Sequence, residues 1–572
     1  MLKELNREQL CALSSQQLKE YCEDIRTEIV HTVAECGGHL SSNLGVVELT
    51  VALHRVFDFP HDKIVFDVGH QCYTHKLLSG RANRFSTLRQ EGGLSGFPKR
   101  SESEFDCYET GHAGTALSAA LGIAKARDLL GENYRVIALV GDGSFNNGLI
   151  YEALNSIHIL ETSVLFILND NGMSISPTVG GAHEILDEMK REPFLRDDIR
   201  LFERFGLQYM GVHNGNDICE MLSVLETAKQ KLQNGSVLLH LSTKKGQGHP
   251  FCENAPDRTH GISPHGGTKK REYSVALGEE LTKLAKENEK IVAVTAAMTD
   301  ALGLRNFFNV FPDRAFDVGI CEEHASVLCA AMASQGLKPY YAIYSTFLQR
   351  AFDEIIHDVC GQDLPVTFCI DRAGITGADG ETHQGVFDLS YLSFIPNLTV
   401  AIPKNIAEFR ELIKLSADYS HPFAIRYPRD GAEGRANAVE IGKFEILHSS
   451  LSDIIVLAAG ERCISLAENV LADANMQGLD FTLVNARFLR PLDRELLQNA
   501  TQKYVITIED NAAIGGLGDA INRFYMGGNK CIKAFGLNDT FIPHGEPRAL
   551  SQKFGLSKEE ILSYIGKCNA RG

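Results

Sequence analysis

The sequence predicts an α/β protein with three doubly wound, mostly parallel sheets, and three observations lead to this fold class. Continuous apolar runs of strand length, such as RVIALVG and SVLFILND, are typical of strands buried on both faces. A segment with helical apolar spacing, GLIYEALNSIHIL, separates these two runs and completes a parallel strand–helix–strand unit. The same pattern returns along the 572 residues. We therefore expect ligands at the carboxyl ends of the strands.

Three blocks can be delimited, covering residues 1–265, 272–432 and 436–572. The polar segment CENAPDRTHGISPHGGTKKRE separates the first two as a linker. In the second block, KIVAVTAAM, RAFDVGI, PYYAIYS and PVTFCIDRAG read as strands, and FLQRAFDEIIHDV reads as helical. In the third block, DIIVLAAG, DFTLVNARFLRP and KYVITIEDN read as strands. We expect a doubly wound sheet in each block.

Composition narrows the possible functions. The net charge of −17 makes general binding to nucleic acids or anionic membranes a poor hypothesis, so an anionic substrate needs a local cluster of basic residues. The 14 cysteines include no CxxC pair, and MLKELNREQL lacks the apolar segment of a secretory signal. No apolar run reaches the roughly 18 residues of a membrane helix. We expect reduced thiols and a cytoplasmic protein.

The glycine-rich segment GDGSFNNG, residues 141–148, carries the first candidate site. Asp142 follows one predicted strand and Asn171 follows the next, so both loops should emerge at the same edge of the sheet. Carboxylate and amide oxygens beside a glycine turn suit Mg²⁺ that shares its shell with substrate phosphates. The alternative is an ordinary tight turn and a polar loop. Motifs for dinucleotides, P-loop nucleotides and HExxH zinc sites are absent from the sequence.

Longer stretches point to one family. These are GGHLSSNLGVVELTVALH, FDVGHQCYTHKLLSGR, TGHAGTALSAALGIA, NDNGMSIS, AIYSTFLQRAFDEIIHDV, DRAGITGADGETHQGVFDLSYL and RYPR. The chain closely resembles 1-deoxy-D-xylulose-5-phosphate synthases, thiamine-diphosphate-dependent transferases of the transketolase-like superfamily. The resemblance implies a diphosphate-binding first domain, a pyrimidine-binding second domain with a catalytic glutamate, and a transketolase C-terminal-like third domain that mainly supports dimerisation.

The reaction follows from the same resemblance. Pyruvate would be decarboxylated on thiamine diphosphate, and the two-carbon carbanion/enamine would condense with D-glyceraldehyde 3-phosphate. The product, 1-deoxy-D-xylulose 5-phosphate, is a precursor of isoprenoids, thiamine and pyridoxal. The resemblance also implies a homodimer.

The resemblance assigns cofactor and metal roles to residues of the first block. Mg²⁺ would be bound by Asp142, Asn171 and the backbone of Met173. The residues that would line the cofactor are His70, Gly111, His112, Ala113, Gly143, Ser144, Asn171 and His249. Glycine N–H groups and histidines can donate hydrogen bonds to phosphate oxygens.

Catalytic roles fall on Glu322 and three histidines. Glu322 opens an apolar helix in ICEEHAS, where burial can raise its pKa so that it holds a proton for the aminopyrimidine ring. His39, His260 and His383 would transfer protons or contact substrate. Without the resemblance, each of these residues also fits a structural or solvated position.

The resemblance implies that the phosphate of the acceptor substrate binds in a cleft of the second block. The resemblance indicates Tyr344, Arg350, Arg372, Asp379 and Arg429. Guanidinium groups can bind phosphate in a bidentate manner. Arg426 also fits a surface salt bridge.

Four features depart from the family pattern. They are Ser144–Phe145–Asn146–Asn147 after the glycine turn, His249 where tyrosine is usual, Glu323 beside Glu322, and a shortened segment at 177–207. Asn146 and Asn147 can cap the following helix, or they can face the thiazolium side of the pocket. These departures leave open a diverged transketolase or carboligase with another donor or acceptor, and a catalytically silent assembly protein.

Overall fold

The computed structural model of the chain describes residues 2, 4–174, 178–192, 196–264 and 271–570. It divides into two compact units. The first comprises Met1–Thr268 together with Gly319–Cys321, and the second comprises Lys269–Val318 together with Glu322–Gly572. Residues 265–270 of the predicted linker lie outside the described residues. The three domain boundaries inferred from sequence therefore stay a prediction.

A five-stranded parallel sheet forms the centre of the first unit. In chain order its strands are β1 (Lys63–Phe66), β2 (Val136–Gly141), β3 (Leu165–Asp170), β4 (Gln208–Asn214) and β5 (Val237–Ser242). Their spatial order is β1-β2-β3-β5-β4, with every pair parallel. The strands predicted from RVIALVG and SVLFILND are confirmed as β2 and β3.

Alternate residues of these strands enter two separate cores. Ile137 and Leu139 of β2 belong to the core on one face of the sheet, while Ala138 and Val140 belong to the core on the other. Successive side chains of a strand point to opposite faces, so a strand that is apolar at every position requires cover on both sides.

Helices supply that cover. They are α1 (Arg7–Ala12), α2 (Ser15–Cys36), α3 (Leu40–Leu44), α4 (Val47–Val56), α5 (Tyr73–Leu77), α6 (Ala116–Leu130), α7 (Asp142–Phe145), α8 (Gly148–Leu160), α9 (Gly181–Arg191), α10 (Arg196–Arg204), α11 (Ile218–Lys231) and α12 (Pro250–Asn254). Helix α8 confirms the helix predicted from GLIYEALNSIHIL. The GDG segment is a short helix rather than a bare turn, since α7 begins directly at Asp142.

The second unit contains two large sheets. Its strands are β6 (Arg271–Glu272), β7 (Ile291–Thr295), β8 (Ala315–Asp317), β9 (Lys338–Tyr344), β10 (Thr367–Asp371), β11 (Thr399–Ala401), β12 (Phe423–Arg426), β13 (Asp430–Gly431), β14 (Glu445–His448), β15 (Ile454–Ala459), β16 (Thr482–Asn485), β17 (Phe488–Arg490), β18 (Tyr504–Ala512) and β19 (Cys531–Leu537). One sheet has the order β17-β11-β12-β10-β9-β7-β8 and the other β14-β16-β15-β18-β19. In each, only one edge strand, β17 or β14, pairs antiparallel among the described residues.

One predicted strand proves to be two. DFTLVNARFLRP forms β16 and β17, which belong to different sheets. Strand β17, from the third block, is therefore an edge strand of the sheet of the second block. A continuous apolar core, which includes Tyr341 and Val484, extends through both sheets. Local periodicity cannot reveal such a change of sheet, because both halves have the same strand pattern.

The helices of the second unit are α13 (Tyr273–Glu287), α14 (Arg305–Val310), α15 (Glu322–Ser334), α16 (Ser345–Leu348), α17 (Phe352–Glu354), α18 (Asp388–Leu392), α19 (Ile406–Ala417), α20 (Glu461–Met476), α21 (Arg494–Asn499), α22 (Leu517–Phe524), α23 (Pro547–Lys553) and α24 (Lys558–Asn569). The helical stretch predicted from FLQRAFDEIIHDV is not one regular helix. It passes from α16 through a 3₁₀ turn and α17 into a π-helix at Ile355–Cys360.

None of the fourteen cysteines, all of which lie within the described residues, forms a disulfide bond. Within the described residues, no helix combines the length and apolarity needed to cross a membrane.

Candidate functional site

The predicted metal ligands lie at the carboxyl ends of adjacent parallel strands. Asp142 follows β2 and Asn171 follows β3. The Oδ1 atom of Asp142 lies 3.5 Å from the backbone N of Asn171, and Asn171 Oδ1 accepts a hydrogen bond from the N–H of Met173 at 3.2 Å. Asp142 is 1% exposed, and burial together with nearby Asp170 raises its pKa to about 6. The structure therefore brings all three residues together.

Two loops beside Asp142 are tightly constrained. A Cβ atom at Gly143 would lie 2.7 Å from Ser174 Cβ, so this position accepts no side chain without a shift of the neighbouring loop. The carboxylate of buried Asp67 accepts hydrogen bonds from the N–H groups of Gly114 and Ala116 at 2.9 and 3.0 Å. It thereby fixes the loop that carries Gly111, His112 and Ala113, three of the predicted cofactor contacts. Ser144 is buried next to Gly143.

Three predicted histidines form a cluster in the first unit. The ring centroids of His39, His70 and His260 lie 5.3–5.4 Å from one another. The side chain of Asn43 ties two of them together, since its amide donates to the carbonyl oxygens of His39 and His70 at 2.6 and 2.7 Å. Loss of hydration and the charge of Lys245 lower the pKa of His260 well below its ordinary value.

Lys245 is a residue that the sequence analysis did not select. Its buried ammonium group donates to the carbonyl oxygen of Ser174 and lies 3.2 Å from Nδ1 of His260. Burial lowers its pKa to about 8, although the charge of Asp142 acts in the opposite direction. The signal was present in VLLHLSTKK, where two lysines follow an apolar run that becomes β5, the strand beside β3.

His249 and Asn147 both act as helix caps. His249 Nδ1 accepts the N–H of Cys252 at 3.4 Å at the start of α12. Asn147 Oδ1 accepts the N–H of Leu149 at 3.1 Å, which confirms the prediction that it caps α8. Asn146 does not cap that helix; its side chain donates instead to the carbonyl oxygen of Val179 at 3.1 Å.

In the second unit, Glu322 opens helix α15 as predicted and is 4% exposed. Arg350 Nη1 lies 3.6 Å from its Oε2 atom, and Oε2 accepts no hydrogen bond within the described residues. Burial raises the pKa of Glu322 to about 7, while Arg350 acts to lower it. A carboxyl group in this setting can hold a proton at neutral pH.

Other predicted residues of this unit form a row of contacts between aromatic rings and a guanidinium group. The guanidinium of Arg372 lies 4.0 Å from the centroid of the Tyr344 ring. Phe347 stacks on Tyr344 at 5.7 Å and meets the His383 ring edge-on at 5.6 Å. The structure thus links Tyr344, Arg372 and His383 through Phe347, which the sequence analysis did not select. Asp379 precedes the 3₁₀ turn Gly380–Thr382 in the same loop as His383.

Two arginines of this unit pair with carboxylates. The side chain of Arg429 is 49% exposed and pairs with Glu272 at 3.1 Å, so a phosphate would compete there with a carboxylate. The interpretation of Arg426 as a surface salt bridge is wrong, because Arg426 is buried between the carboxylates of Asp388 and Asp510. These partners are far apart in the sequence, so only the folded structure shows that this arginine is paired inside the core.

Family comparisons cover most of the chain. The family model described as 1-deoxy-D-xylulose-5-phosphate synthase matches residues 2–200 and 194–243. The transketolase pyrimidine-binding domain matches residues 269–433, and the transketolase C-terminal domain matches residues 442–561. Among solved structures, a transketolase from Campylobacter jejuni subsp. jejuni NCTC 11168 is similar, with 19% identity over 97% of this chain and 100% of that chain and a TM-score of 0.46.

Individual relatives agree with the family models. The chain is 42% identical to a 1-deoxy-D-xylulose-5-phosphate synthase of Clostridium tetani (strain Massachusetts / E88), with 97% of each chain covered. It is 43% identical to the synthase of Caldanaerobacter subterraneus subsp. tengcongensis, with 99% of this chain and 98% of the relative covered. These matches confirm the resemblance seen in the sequence motifs, and the chain belongs to the 1-deoxy-D-xylulose-5-phosphate synthase family.

Proposed function

We propose that this protein is a 1-deoxy-D-xylulose-5-phosphate synthase, a transferase that decarboxylates pyruvate and condenses the remaining two carbons with D-glyceraldehyde 3-phosphate. The observation that carries the proposal is 42% identity to a synthase of that name over 97% of both chains. The cofactors are thiamine diphosphate and Mg²⁺. The site geometry supports this assignment in each unit separately.

The residues of the first unit fit a metal and a diphosphate. Asp142 and Asn171 supply the oxygen donors that Mg²⁺ prefers, at neighbouring strand ends. The lack of a side chain at Gly143 lets the loop that contains Ser174 pack closely against its backbone. Gly111, His112 and Ala113 lie on a loop that is anchored by hydrogen bonds to Asp67. Ser144, His70 and His249 complete the proposed cofactor contacts. We assign Asp142, Asn171 and the Met173 carbonyl to the metal.

Glu322 is the proposed proton donor of the second unit. When bound, thiamine diphosphate would supply a nucleophilic ring carbon and a ring that acts as the electron sink for the decarboxylation of pyruvate. Glu322 would hold a proton at Oε2 and donate it to a ring nitrogen of the aminopyrimidine. Its burial and its unfilled hydrogen-bonding capacity at Oε2 support this role, because a buried carboxyl without a bonded partner favours the protonated form.

The remaining predicted residues divide into proton-transfer and phosphate-binding groups. A lowered pKa keeps the His260 ring neutral at pH 7, so it can accept a proton, and His39 lies against it. The guanidinium of Arg372 lies over the Tyr344 ring, and its N–H groups are of the kind that bind phosphate in a bidentate manner. We assign substrate contact to Tyr344, Arg350, Arg372, Asp379 and Arg429, with His383 beside them.

The test is product formation by the purified chain. CO₂ release from pyruvate is measured with D-glyceraldehyde 3-phosphate, with unphosphorylated glyceraldehyde and without acceptor, and the sugar product is identified by mass spectrometry. We expect acceptor-dependent formation of 1-deoxy-D-xylulose 5-phosphate. Transfer from a ketose phosphate instead of pyruvate would replace this function with that of a transketolase. Complete inactivity with bound cofactor would indicate an assembly protein.

We further propose that the protein is a cytoplasmic homodimer, as the family resemblance implies. Light scattering coupled to size-exclusion chromatography should give twice the 62.9 kDa mass of one chain. Fractionation of the producing cells should recover the protein in the cytosol. A monomeric mass at micromolar concentration would contradict the dimer.

A further inference from the structure

The side chain of Asn147 has two partners, one at each end of its amide. Its Oδ1 atom caps helix α8 by accepting the N–H of Leu149, and its Nδ2 atom donates to the carbonyl oxygen of Ile320 at 2.9 Å. Asn147 is 0% exposed. The backbone of Gly114 packs directly against the Asn147 side chain, since a Cβ atom at that glycine would collide with it. Water therefore cannot replace either hydrogen bond without a local opening.

A second contact joins the same two segments. The thiol of Cys321 donates to the carbonyl oxygen of Asn146, with the sulfur 3.1 Å away. The tripeptide Gly319–Cys321 consequently packs with the first unit, although the residues on either side of it belong to the second. Two consecutive asparagines of GDGSFNNG thus hold a tripeptide that ends immediately before Glu322.

We propose that Asn147 is a positioning residue for Glu322. By fixing the Ile320 carbonyl, Asn147 sets where the chain enters helix α15, and Glu322 is the first residue of that helix. This inference rests on the proposed function, in which Glu322 must meet the cofactor ring. An error of about 1 Å in the placement of a catalytic group can cost on the order of 100-fold in rate.

Because Oδ1 of Asn147 caps helix α8 and Nδ2 bonds to Ile320, substitutions can remove the second contact and keep the first. Asn147→Ser and Asn147→Asp both retain an oxygen that can cap α8, because serine and aspartate are favoured N-cap residues. Both remove the Nδ2 donor to Ile320. The matched control is Asp217→Ser, since Asp217 caps α11 through the N–H groups of Cys219 and Glu220 and is far along the chain from the tripeptide.

Hydrogen–deuterium exchange of the full chain without cofactor tests the contact itself. In both Asn147 variants we expect peptides spanning 318–323 to exchange about 10-fold faster than in wild type, with α8 peptides unchanged. In Asp217→Ser, only the start of α11 should change. Unaltered exchange at 318–323 in both Asn147 variants would overturn the proposal, whatever reaction the protein catalyses.

Steady-state kinetics test the consequence. We expect kcat to fall about 10-fold in both Asn147 variants while KM for pyruvate changes less than about 2-fold, because binding groups are untouched. Faster exchange with unchanged kcat would overturn the positioning role. Failure of the proposed function looks different, since it would abolish product formation in wild type and in Asp217→Ser as well.

Discussion

Arg350 lies 3.6 Å from the carboxylate of Glu322, within the range of an ion pair but beyond that of a hydrogen bond. Glu322 therefore has a positive neighbour, but its Oε2 atom accepts no hydrogen bond from the residues that the structure describes. Burial prevails over the guanidinium charge, and the pKa of Glu322 rises to about 7. This balance leaves the group able to gain or lose a proton near physiological pH.

The first prediction concerns stability against pH. The pKa of the Glu322 carboxyl is raised from 4.5 to about 7 in the folded chain, so the folded chain keeps this proton at pH values where the unfolded chain has lost it. The free energy of unfolding is therefore larger at low pH, and this contribution is lost as the pH rises through 7. Glu322→Gln cannot ionise. The free energy of unfolding of wild type relative to this variant should therefore fall by about 2–3 kcal/mol between pH 5 and pH 9.

Urea unfolding at both pH values measures this difference. Arg350→Met provides an internal comparison, since removal of the guanidinium should raise the Glu322 pKa further and enlarge the pH dependence. A constant difference between wild type and Glu322→Gln from pH 5 to pH 9 would show that Glu322 is not buried as described.

The second prediction separates Glu322 from its neighbour. Glu322→Ala should lower kcat by about 100-fold or more, because the variant lacks the proposed proton donor. Glu323→Ala should retain most of the activity, as Glu323 is only partly buried. Both variants should give native circular dichroism spectra. Near-wild-type turnover of Glu322→Ala would exclude the proposed mechanism.

The third prediction concerns the metal. Asp142→Asn, or chelation of Mg²⁺ by EDTA, should weaken thiamine diphosphate binding by about 10-fold or more, since the diphosphate would lose its bridging cation. Isothermal titration calorimetry measures the affinity. Asp217→Asn, at a helix cap elsewhere in the first unit, should bind the cofactor as wild type does. Equal affinity with and without Mg²⁺ would remove the metal role of Asp142 and Asn171.

The fourth prediction concerns the acceptor phosphate. Arg372→Met should raise KM for D-glyceraldehyde 3-phosphate by about 10-fold or more and leave KM for pyruvate nearly unchanged, because only the former substrate carries a phosphate. Arg305→Met is the control, since Arg305 is exposed and pairs with Asp300. An equal effect on both KM values would argue against a specific phosphate contact by Arg372.

Helices, strands and the positions of strand ends could be predicted from the sequence because the patterns that indicate them involve residues close together in the chain. Apolar runs and helical spacing predicted β2, α8 and β3, and their order placed Asp142 and Asn171 at one sheet edge. The predicted site residues form local groups within their own units. Lys245 was missed because its position after an apolar run is the only local signal, and its contact with His260 forms only on folding.

Sequence by itself determined the family, the fold class and the residue types at the strand ends, because periodicity and motif spacing depend on neighbours along the chain. Tertiary structure alone decided which polar groups are buried and which partners they meet. Only the tertiary structure shows that Arg426 is buried in the core and that β17 belongs to a different sheet from β16. It also shows that the side chain of Asn147 has a second hydrogen-bond partner, the carbonyl oxygen of Ile320. These contacts join residues far apart in the chain, so their energies depend on packing that no local pattern encodes.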